Sequence, residues 1–174
     1  MDLFANGIGD AGAIGIGNAL TVNQSLTSLC LKRNNIGNEG LSAISVALVA
    51  NKKLRILDVG GNSIGDEGIE ILATVLSTHS NLTELDLSDN KITFVGAFVM
   101  SSIITNNNSL TILNLSDNDL TLSGAMRICD AIKVNQTMQV CYIGVDCLGA
   151  DGLTQVIEGG ADASYFWDTR LVII

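Results

Sequence analysis

The sequence predicts an α/β solenoid, with a parallel sheet on the concave face and helices on the convex face. Two observations predict this fold: the 174 residues repeat with a period of 28, and the apolar spacing changes once within each repeat. Each repeat begins with the two-residue alternation of a strand and continues with the four-residue spacing of an amphipathic helix. One strand and one helix cannot bury their own apolar faces, whereas stacked copies bury a continuous core.

Columns of identical or similar residues carry the period. An asparagine column follows the predicted strands and comprises Asn6, Asn34, Asn62, Asn90 and Asn118, with Asp146 in the sixth place. A glycine column lies at the start of the predicted helices and comprises Gly12, Gly40, Gly68, Gly96, Gly124 and Gly152. Because several columns keep the same spacing along the chain, the repeat is a strong signal of a solenoid.

The strand and the helix follow one another in the same order in every repeat. Leu85, Asp86 and Leu87 show the alternation of a half-buried strand, and residues 68–76 carry Leu72 and Leu76 one helical turn apart. We expect the asparagine to turn the chain out of the strand, since its amide both donates to and accepts from nearby backbone. The glycine is expected to let adjacent turns approach closely.

One domain covering residues 1–174 accommodates all the repeats. A partial repeat covers residues 1–25, and full repeats cover residues 26–53, 54–81, 82–109 and 110–137. Residues 138–165 form a degenerate repeat, and residues 166–174 are predicted as a closing strand. Met1 and Leu3 already fall in strand register. We therefore expect an open strand edge, and three interpretations stay open: a fragment of a longer horseshoe, self-association through this edge, or an edge that the chain tolerates.

The repeat unit resembles a known family. The pattern L-x-x-L-x-L-x-x-N-x-I/L-x-x-x-G-x-x-x-I/L-x-x-x-L is similar to the ribonuclease-inhibitor-like class of leucine-rich repeats, which also occurs in NLR-type receptors. This resemblance implies a leucine-rich-repeat right-handed α/β solenoid, a horseshoe whose concave strand surface binds another protein. The chain departs from the ribonuclease inhibitors themselves, which are rich in cysteine, because it has four cysteines.

Composition and charge disfavour several kinds of partner and site. The chain has 18 acidic and 9 basic residues and a net charge of −9, so neither nucleic acid nor an anionic membrane surface is an expected partner. No apolar run is long enough to span a membrane. Four cysteines without CxxC spacing do not suggest a metal site, and they are typical of a cytoplasmic protein.

The single histidine, His79, belongs to a column at the end of each predicted helix. The column also contains Asn23, Asn51, Asn107 and Asn135. Because asparagine bonds readily to nearby backbone, we expect a capping or turn role for this column rather than a catalytic one.

The predicted concave surface is the first candidate site. Its candidate partner-binding residues are Lys32, Arg33, Asp58, Glu84, Asp86, Asp89, Asn114, Asp117 and Tyr142. Adjacent strands lie about 4.8 Å apart, so the carboxylates cluster, and such a cluster attracts basic surfaces. Two interpretations stay open: a solvated acidic face, or a docking site for a basic segment of a protein partner. A catalytic carboxylate pair and a divalent metal site are disfavoured, because the repeat predicts neither an enclosed pocket nor the spacing of a calcium loop.

The predicted convex surface is the second candidate site. Apolar residues occupy helix positions that are polar in earlier repeats, namely Phe94, Val95, Phe98, Leu122 and Met126. Grouped apolar residues at exposed positions often mark a contact surface. The alternative is that small helix rotations bury these side chains within the monomer.

The predicted function is a protein-protein interaction module without catalysis or cofactor, and with a protein partner. A rigid sheet that displays side chains at fixed spacing loses little ordering entropy on binding. Two alternatives stay open. The chain is an activator of a small GTPase, with Arg33 or Asn114 facing that partner, or it is a sensor or scaffold segment of a larger receptor or secreted effector, the latter acting in a host cytoplasm.

Overall fold

The computed structural model describes residues 1–77, 81–144 and 171–174. Its helices are α1 (Gly9–Val22), α2 (Asn38–Ala50), α3 (Asp66–Leu76), α4 (Phe94–Asn106) and α5 (Thr121–Val134). Its strands are β1 (Ser28–Cys30), β2 (Ile56–Asp58), β3 (Glu84–Asp86), β4 (Ile112–Asn114), β5 (Val140–Ile143) and β6 (Leu171–Ile173). The strands form one parallel sheet in chain order, with a helix between each pair of strands from β1 to β5. This arrangement confirms the predicted α/β solenoid.

The strands are short, and their register follows the 28-residue period. Leu29 pairs with Leu57, Leu57 with Leu85, and Leu85 with Leu113. The central residue of each of these strands is buried, while the residues on either side are half-buried on the concave surface. Because side chains alternate across a strand, the leucine column enters the core and its neighbours line the concave surface.

The core is one continuous apolar cluster between the sheet and the helices. It contains the strand leucines, the isoleucine column after the asparagine turn and the inward side of each helix, for example Leu57, Ile64 and Leu72, none of which is exposed. Each repeat thus contributes about one apolar layer, and neighbouring repeats complete its burial.

The asparagine column links each repeat to the repeat before it. The Asn62 Oδ1 accepts from the backbone N–H groups of Asn34 and Ile36, at 2.9 and 3.0 Å. Its Nδ2 donates to the carbonyls of Leu31, Val59 and Gly60, at 3.1, 2.8 and 3.1 Å. The side chains of the equivalent residues Asn34, Asn90 and Asn118 bridge neighbouring repeats in the same way. Asp146, the sixth member, lies outside the described residues.

A second asparagine column donates hydrogen bonds to backbone carbonyls at the helix C-termini. The buried Asn107 donates from Nδ2 to the carbonyl of Leu76, the last residue of α3 in the repeat before, at 2.8 Å. Its Oδ1 accepts from the N–H groups of Ser109 and Leu110, which shapes the turn into β4. Asn51 and Asn135 make equivalent bonds. The expected turn role of this column therefore extends between repeats, while His79 lies outside the described residues.

A third column caps α2, α3 and α4, each from the helix before it. The Asp10 Oδ1 on α1 accepts from the N–H groups of Gly37 and Gly40 at the start of α2, at 2.7 and 2.9 Å. Asp66 on α3 does the same for Thr93 and Gly96 at the start of α4. A Cβ on Gly40 would lie 2.6 Å from the Asp10 Oδ1. At Gly40, Gly68 and Gly96 the glycine column therefore leaves room for the capping side chain, rather than mainly for the backbone of the adjacent turn.

The backbone at the concave rim of the solenoid is left-handed at one position of each repeat from Ala5 to Asp117. Five residues spaced by 28 have φ between 52° and 64°, namely Ala5, Arg33, Gly61, Asp89 and Asp117. A residue with a Cβ adopts this conformation at a cost of about 1 kcal/mol. Gly61 is the member of the set without that cost, and Ala5, Arg33 and Asp89 each donate their backbone N–H to a carbonyl of the next repeat.

We expect Asn90→Asp to lower the free energy of unfolding by about 2–4 kcal/mol at neutral pH. An ionised carboxylate cannot donate to the carbonyls of Val59, Leu87 and Ser88, and it places negative charge beside them. Urea unfolding followed by circular dichroism measures the change. Asn108→Asp is the matched control, because Asn108 is exposed and should change stability by less than about 0.5 kcal/mol. Equal midpoints for the two variants would contradict the structural role of the column.

The same substitution at two glycines should change stability in opposite directions. Gly61→Ala should cost about 1–2 kcal/mol, because φ is 64° and the new Cβ would lie 2.6 Å from the Arg33 Cγ. Gly15→Ala should stabilise by up to about 1 kcal/mol, because Gly15 lies within α1 with open space around it. Thermal and urea unfolding check both signs, and a stabilising Gly61→Ala would show that the rim is not held left-handed.

Candidate functional site

The concave surface carries a shallow groove across β2, β3, β4 and β5. Asp58 pairs in register with Asp86, Asp86 with Asn114, and Asn114 with Tyr142. The neighbouring column pairs Ile56 with Glu84 and Glu84 with Ile112, and both columns line the groove. The structure thus brings Asp58, Glu84, Asp86, Asn114 and Tyr142 together on one surface.

The central carboxylates also shape the backbone at the end of each strand. The Asp58 Oδ1 accepts from the N–H of Gly60 at 2.9 Å, and the Asp86 Oδ1 accepts from the N–H and Oγ of Ser88, at 2.8 and 2.6 Å. Asn114 makes the same turn with the N–H of Ser116, at 3.1 Å. These are side-chain turns two residues long, so Asp58 and Asp86 have a structural role that the sequence analysis did not assign. The recurrence of Asp or Asn two residues before Gly or Ser is the signal that could have revealed it.

Neighbouring members of the central column are also bonded to each other. The Asn114 Nδ2 donates to the Asp86 Oδ2 at 3.1 Å, and the Cys30 Sγ donates to the Asp58 Oδ2 at 3.5 Å. Burial is the main cause that raises the pKa of the Cys30 thiol, and the negative charge of Asp58 raises it further. Cys30 therefore stays protonated at neutral pH and is a poor nucleophile.

Three other carboxylates make no side-chain hydrogen bond to the described residues. Glu84 is half-buried between Ile56 and Ile112, while Asp89 and Asp117 are exposed at the left-handed rim. Their oxygens are available to a ligand or partner. The acidic candidates therefore divide into two structural carboxylates, Asp58 and Asp86, and three available ones.

The basic candidates lie toward the other end of the concave surface. Lys32 is half-buried and follows β1, and Arg33 is exposed at the rim, where its Cγ lies against the backbone of Gly61. Both residues precede β2, so they lie apart from Glu84 and Asp117 along the sheet. The described concave surface is basic at one end and acidic in its middle.

The convex candidates are split between exposed and half-buried positions. Phe94, Val95 and Phe98 on α4 are 39%, 50% and 49% exposed. Leu122 and Met126 on α5 are half-buried, and Leu122 packs against the core. The exposed part of the predicted patch is therefore α4 alone, which we call the α4 patch and define as Phe94, Val95 and Phe98.

Phe98 has a cationic neighbour that the sequence analysis did not single out. The Arg127 guanidinium on α5 lies over the Phe98 ring, 5.8 Å from its centroid, which is within the range of a cation–π contact. Grooves flank Phe98 on both sides, one toward Ala73 and Thr74 of α3 and one toward Arg127 and Asp130 of α5. Only the packing of α4 against α5 shows this contact, since the two residues are 29 positions apart.

No helix in the described part of the chain combines the length and apolar character needed to cross a membrane. The helices contain between 11 and 14 residues, whereas a span of the bilayer needs about 20.

Comparisons with known proteins show the fold and the family. A search of curated protein sequences gave no match. Among solved structures, the one titled "Leiomodin-1 Actin-Binding Site 2 (ABS2)" is similar, with a TM-score of 0.67 and 20% sequence identity over 87% of this chain and 89% of that chain. A likeness at this identity shows the fold alone.

The family comparison gives a match in four segments. The family model described as "Leucine Rich repeat" matches residues 22–45, 50–73, 78–101 and 106–129, together more than half of the chain. These segments start 28 residues apart, which is the period of the asparagine and glycine columns. The chain belongs to the leucine-rich repeat family.

Proposed function

We propose that this leucine-rich repeat chain is a protein-interaction module that binds a protein partner on its concave sheet. The observation that carries the proposal is the mixed character of the groove: the available Glu84 carboxylate lies between Ile56 and Ile112, with Tyr142 at the far end. A partner that fits this surface presents a basic side chain flanked by apolar ones. This is the chemistry by which charged and apolar contacts combine at protein interfaces.

The groove is already organised before a partner binds. The three columns of inter-repeat hydrogen bonds fix the strand spacing, and the bonds from Asn114 and Ser88 fix the Asp86 carboxylate. Binding to such a surface orders few side chains, so little of the interaction energy is lost to conformational entropy. The rim carboxylates of Asp89 and Asp117 add negative charge that speeds the encounter with a basic partner.

The GTPase-activator alternative has less support from the geometry. An activating residue must reach the partner's nucleotide, but both atoms of the Asn114 amide are engaged, by Asp86 and by Ser116. Arg33 is exposed, yet it lies at the rim away from the groove. The sensor or scaffold alternative is compatible with the same concave surface, and the cytoplasmic location stays a prediction.

We expect Glu84→Lys to abolish capture of a concave-binding partner, since it reverses the available charge at the centre of the groove. The immobilised chain would be incubated with lysate of its source cells, and captured proteins would be quantified by mass spectrometry. A true partner should lose about tenfold or more of its signal with Glu84→Lys, and its capture should weaken at high salt.

Glu39→Lys is the matched control for this experiment. It makes the same change in net charge at an exposed position of α2, on the convex side, and should leave capture of that partner unchanged. If every captured protein bound the Glu84→Lys variant as well as the unmodified chain, or if both variants lost the same proteins, the concave binding site would be wrong.

A further inference from the structure

Helix α4 differs from the other described helices in having no charged residue. Its sequence, FVGAFVMSSIITN, contains no Asp, Glu, Lys or Arg, whereas each of the other helices in the described part of the chain contains at least one. The α4 patch lies on this uncharged helix with its two aromatic rings 39% and 49% exposed. In a chain of net charge −9, α4 is therefore the helix surface that another acidic molecule can approach with least repulsion.

Phe94, the first residue of the α4 patch, stands 28 residues after Asp66, the last capping residue of the third column. Asp10, Asn38 and Asp66 each use a side-chain oxygen to accept from the start of the next helix. Phe94 occupies the next place in this column and cannot accept such a bond. Instead, α5 packs closely on α4, and a Cβ on Gly124 would lie 2.9 Å from the Ala97 Cβ. The Phe94 ring is thus not needed to join α4 to α5, and it stays exposed.

The two helices beside α4 carry opposite charges. On one side, α3 has Asp66, Glu67 and Glu70 and no basic residue. On the other side, α5 has Arg127 and Lys133 against one acidic residue, Asp130. The convex surface from α3 to α5 is therefore ordered as acidic, apolar and basic.

We propose that the α4 patch binds a second copy of this chain, about a two-fold axis that runs parallel to α4. Such a rotation places each α4 against its counterpart and reverses the order of the neighbouring helices in the second copy, so α3 of one copy faces α5 of the other. The acidic helix then meets the basic helix twice. An interface of this kind is self-complementary, as a two-fold axis requires.

The repeat register aligns the charges along the helices. Glu70, Phe98 and Met126 are spaced by 28, so they lie at the same height on α3, α4 and α5, and Arg127 is one residue further. Rotation about an axis parallel to the helices keeps this height. Glu70 of one copy therefore faces Arg127 of its partner, beside the paired Phe98 rings. The other two-fold arrangement, with its axis across the helices, would stack the acidic α3 on itself, and like charges would oppose it.

The available area indicates a weak dimer. Three neighbouring helices of about 20 Å in length and about 10 Å in spacing present a surface of about 600 Å². A standard interface buries about 800 Å² on each partner. We therefore expect the dimer to dissociate on dilution, and the concave surface stays free for a separate partner because the two surfaces lie on opposite sides of the chain.

Sedimentation velocity of the full chain, from roughly 5 to 500 µM, tests the proposal. We expect a concentration-dependent shift from monomer to dimer, and a loss of the shift with Phe98→Ser. Val46→Ser is the matched control, since Val46 is 60% exposed on α2, away from α4, and should leave the dimer unchanged. Circular dichroism shows that both variants are folded. A chain that stays monomeric over the whole range, or a Phe98→Ser variant that still dimerises, would overturn the proposal.

Charge exchange tests the direction of the axis. Glu70→Lys and Arg127→Glu each create two like-charge pairs and should each weaken the homodimer about tenfold or more. An equimolar mixture of these two variants should recover the dimer. In the mixed dimer the lysine introduced in one copy faces the glutamate introduced in the other, while the unmodified Arg127 and Glu70 face each other. If the two variants dimerise as strongly alone as when mixed, α3 does not face α5 and the proposed arrangement is wrong.

Discussion

Every turn of this solenoid brings backbone N–H and C=O groups into a buried position where no strand or helix can pair them. Unpaired buried groups of this kind are costly, and the fold depends on how they are satisfied. Asparagine side chains do this at both ends of β1, β2 and β4, through columns represented by Asn62 and Asn107. An amide is suited to both places because it donates and accepts at once, and its bonds join two neighbouring repeats. The apolar core depends on these turns, since leucines can pack in layers only when the turns hold neighbouring repeats at a fixed distance.

This constraint also determines which residues remain for binding. Asp58 and Asp86 are used first to form the strand-end turns, so their oxygens are held in place before any partner arrives. Glu84 makes no such turn, so the proposed recognition can change there without loss of the fold. On the convex side, the replacement of a capping carboxylate by Phe94 converts a bond between repeats into an exposed ring. Columns that supply structural bonds in some repeats thus supply residues of the proposed binding surfaces in others.

The sequence predicted the period and the strand register, because both depend on residue spacing alone, but it did not predict that Leu122 and Met126 are half-buried. Spacing places Glu84 between Ile56 and Ile112, and the structure has them paired in that order. The left-handed rim was not predicted, since Ala5 and Arg33 carry no local preference for that conformation, and each donates its backbone N–H to a carbonyl of the next repeat. The contact of Arg127 with Phe98 depends on helix packing, which a column alignment does not specify.

The asparagine columns have a direction. The Nδ2 groups of Asn34, Asn62 and Asn107 donate to carbonyls about one repeat earlier in the chain, those of Leu3, Leu31 and Leu76. A ribosome delivers the chain in that same order, so when each asparagine emerges, its acceptors have already been synthesised. Once the first few repeats have formed a common core, the donors of each further repeat therefore meet acceptors that are already held in place.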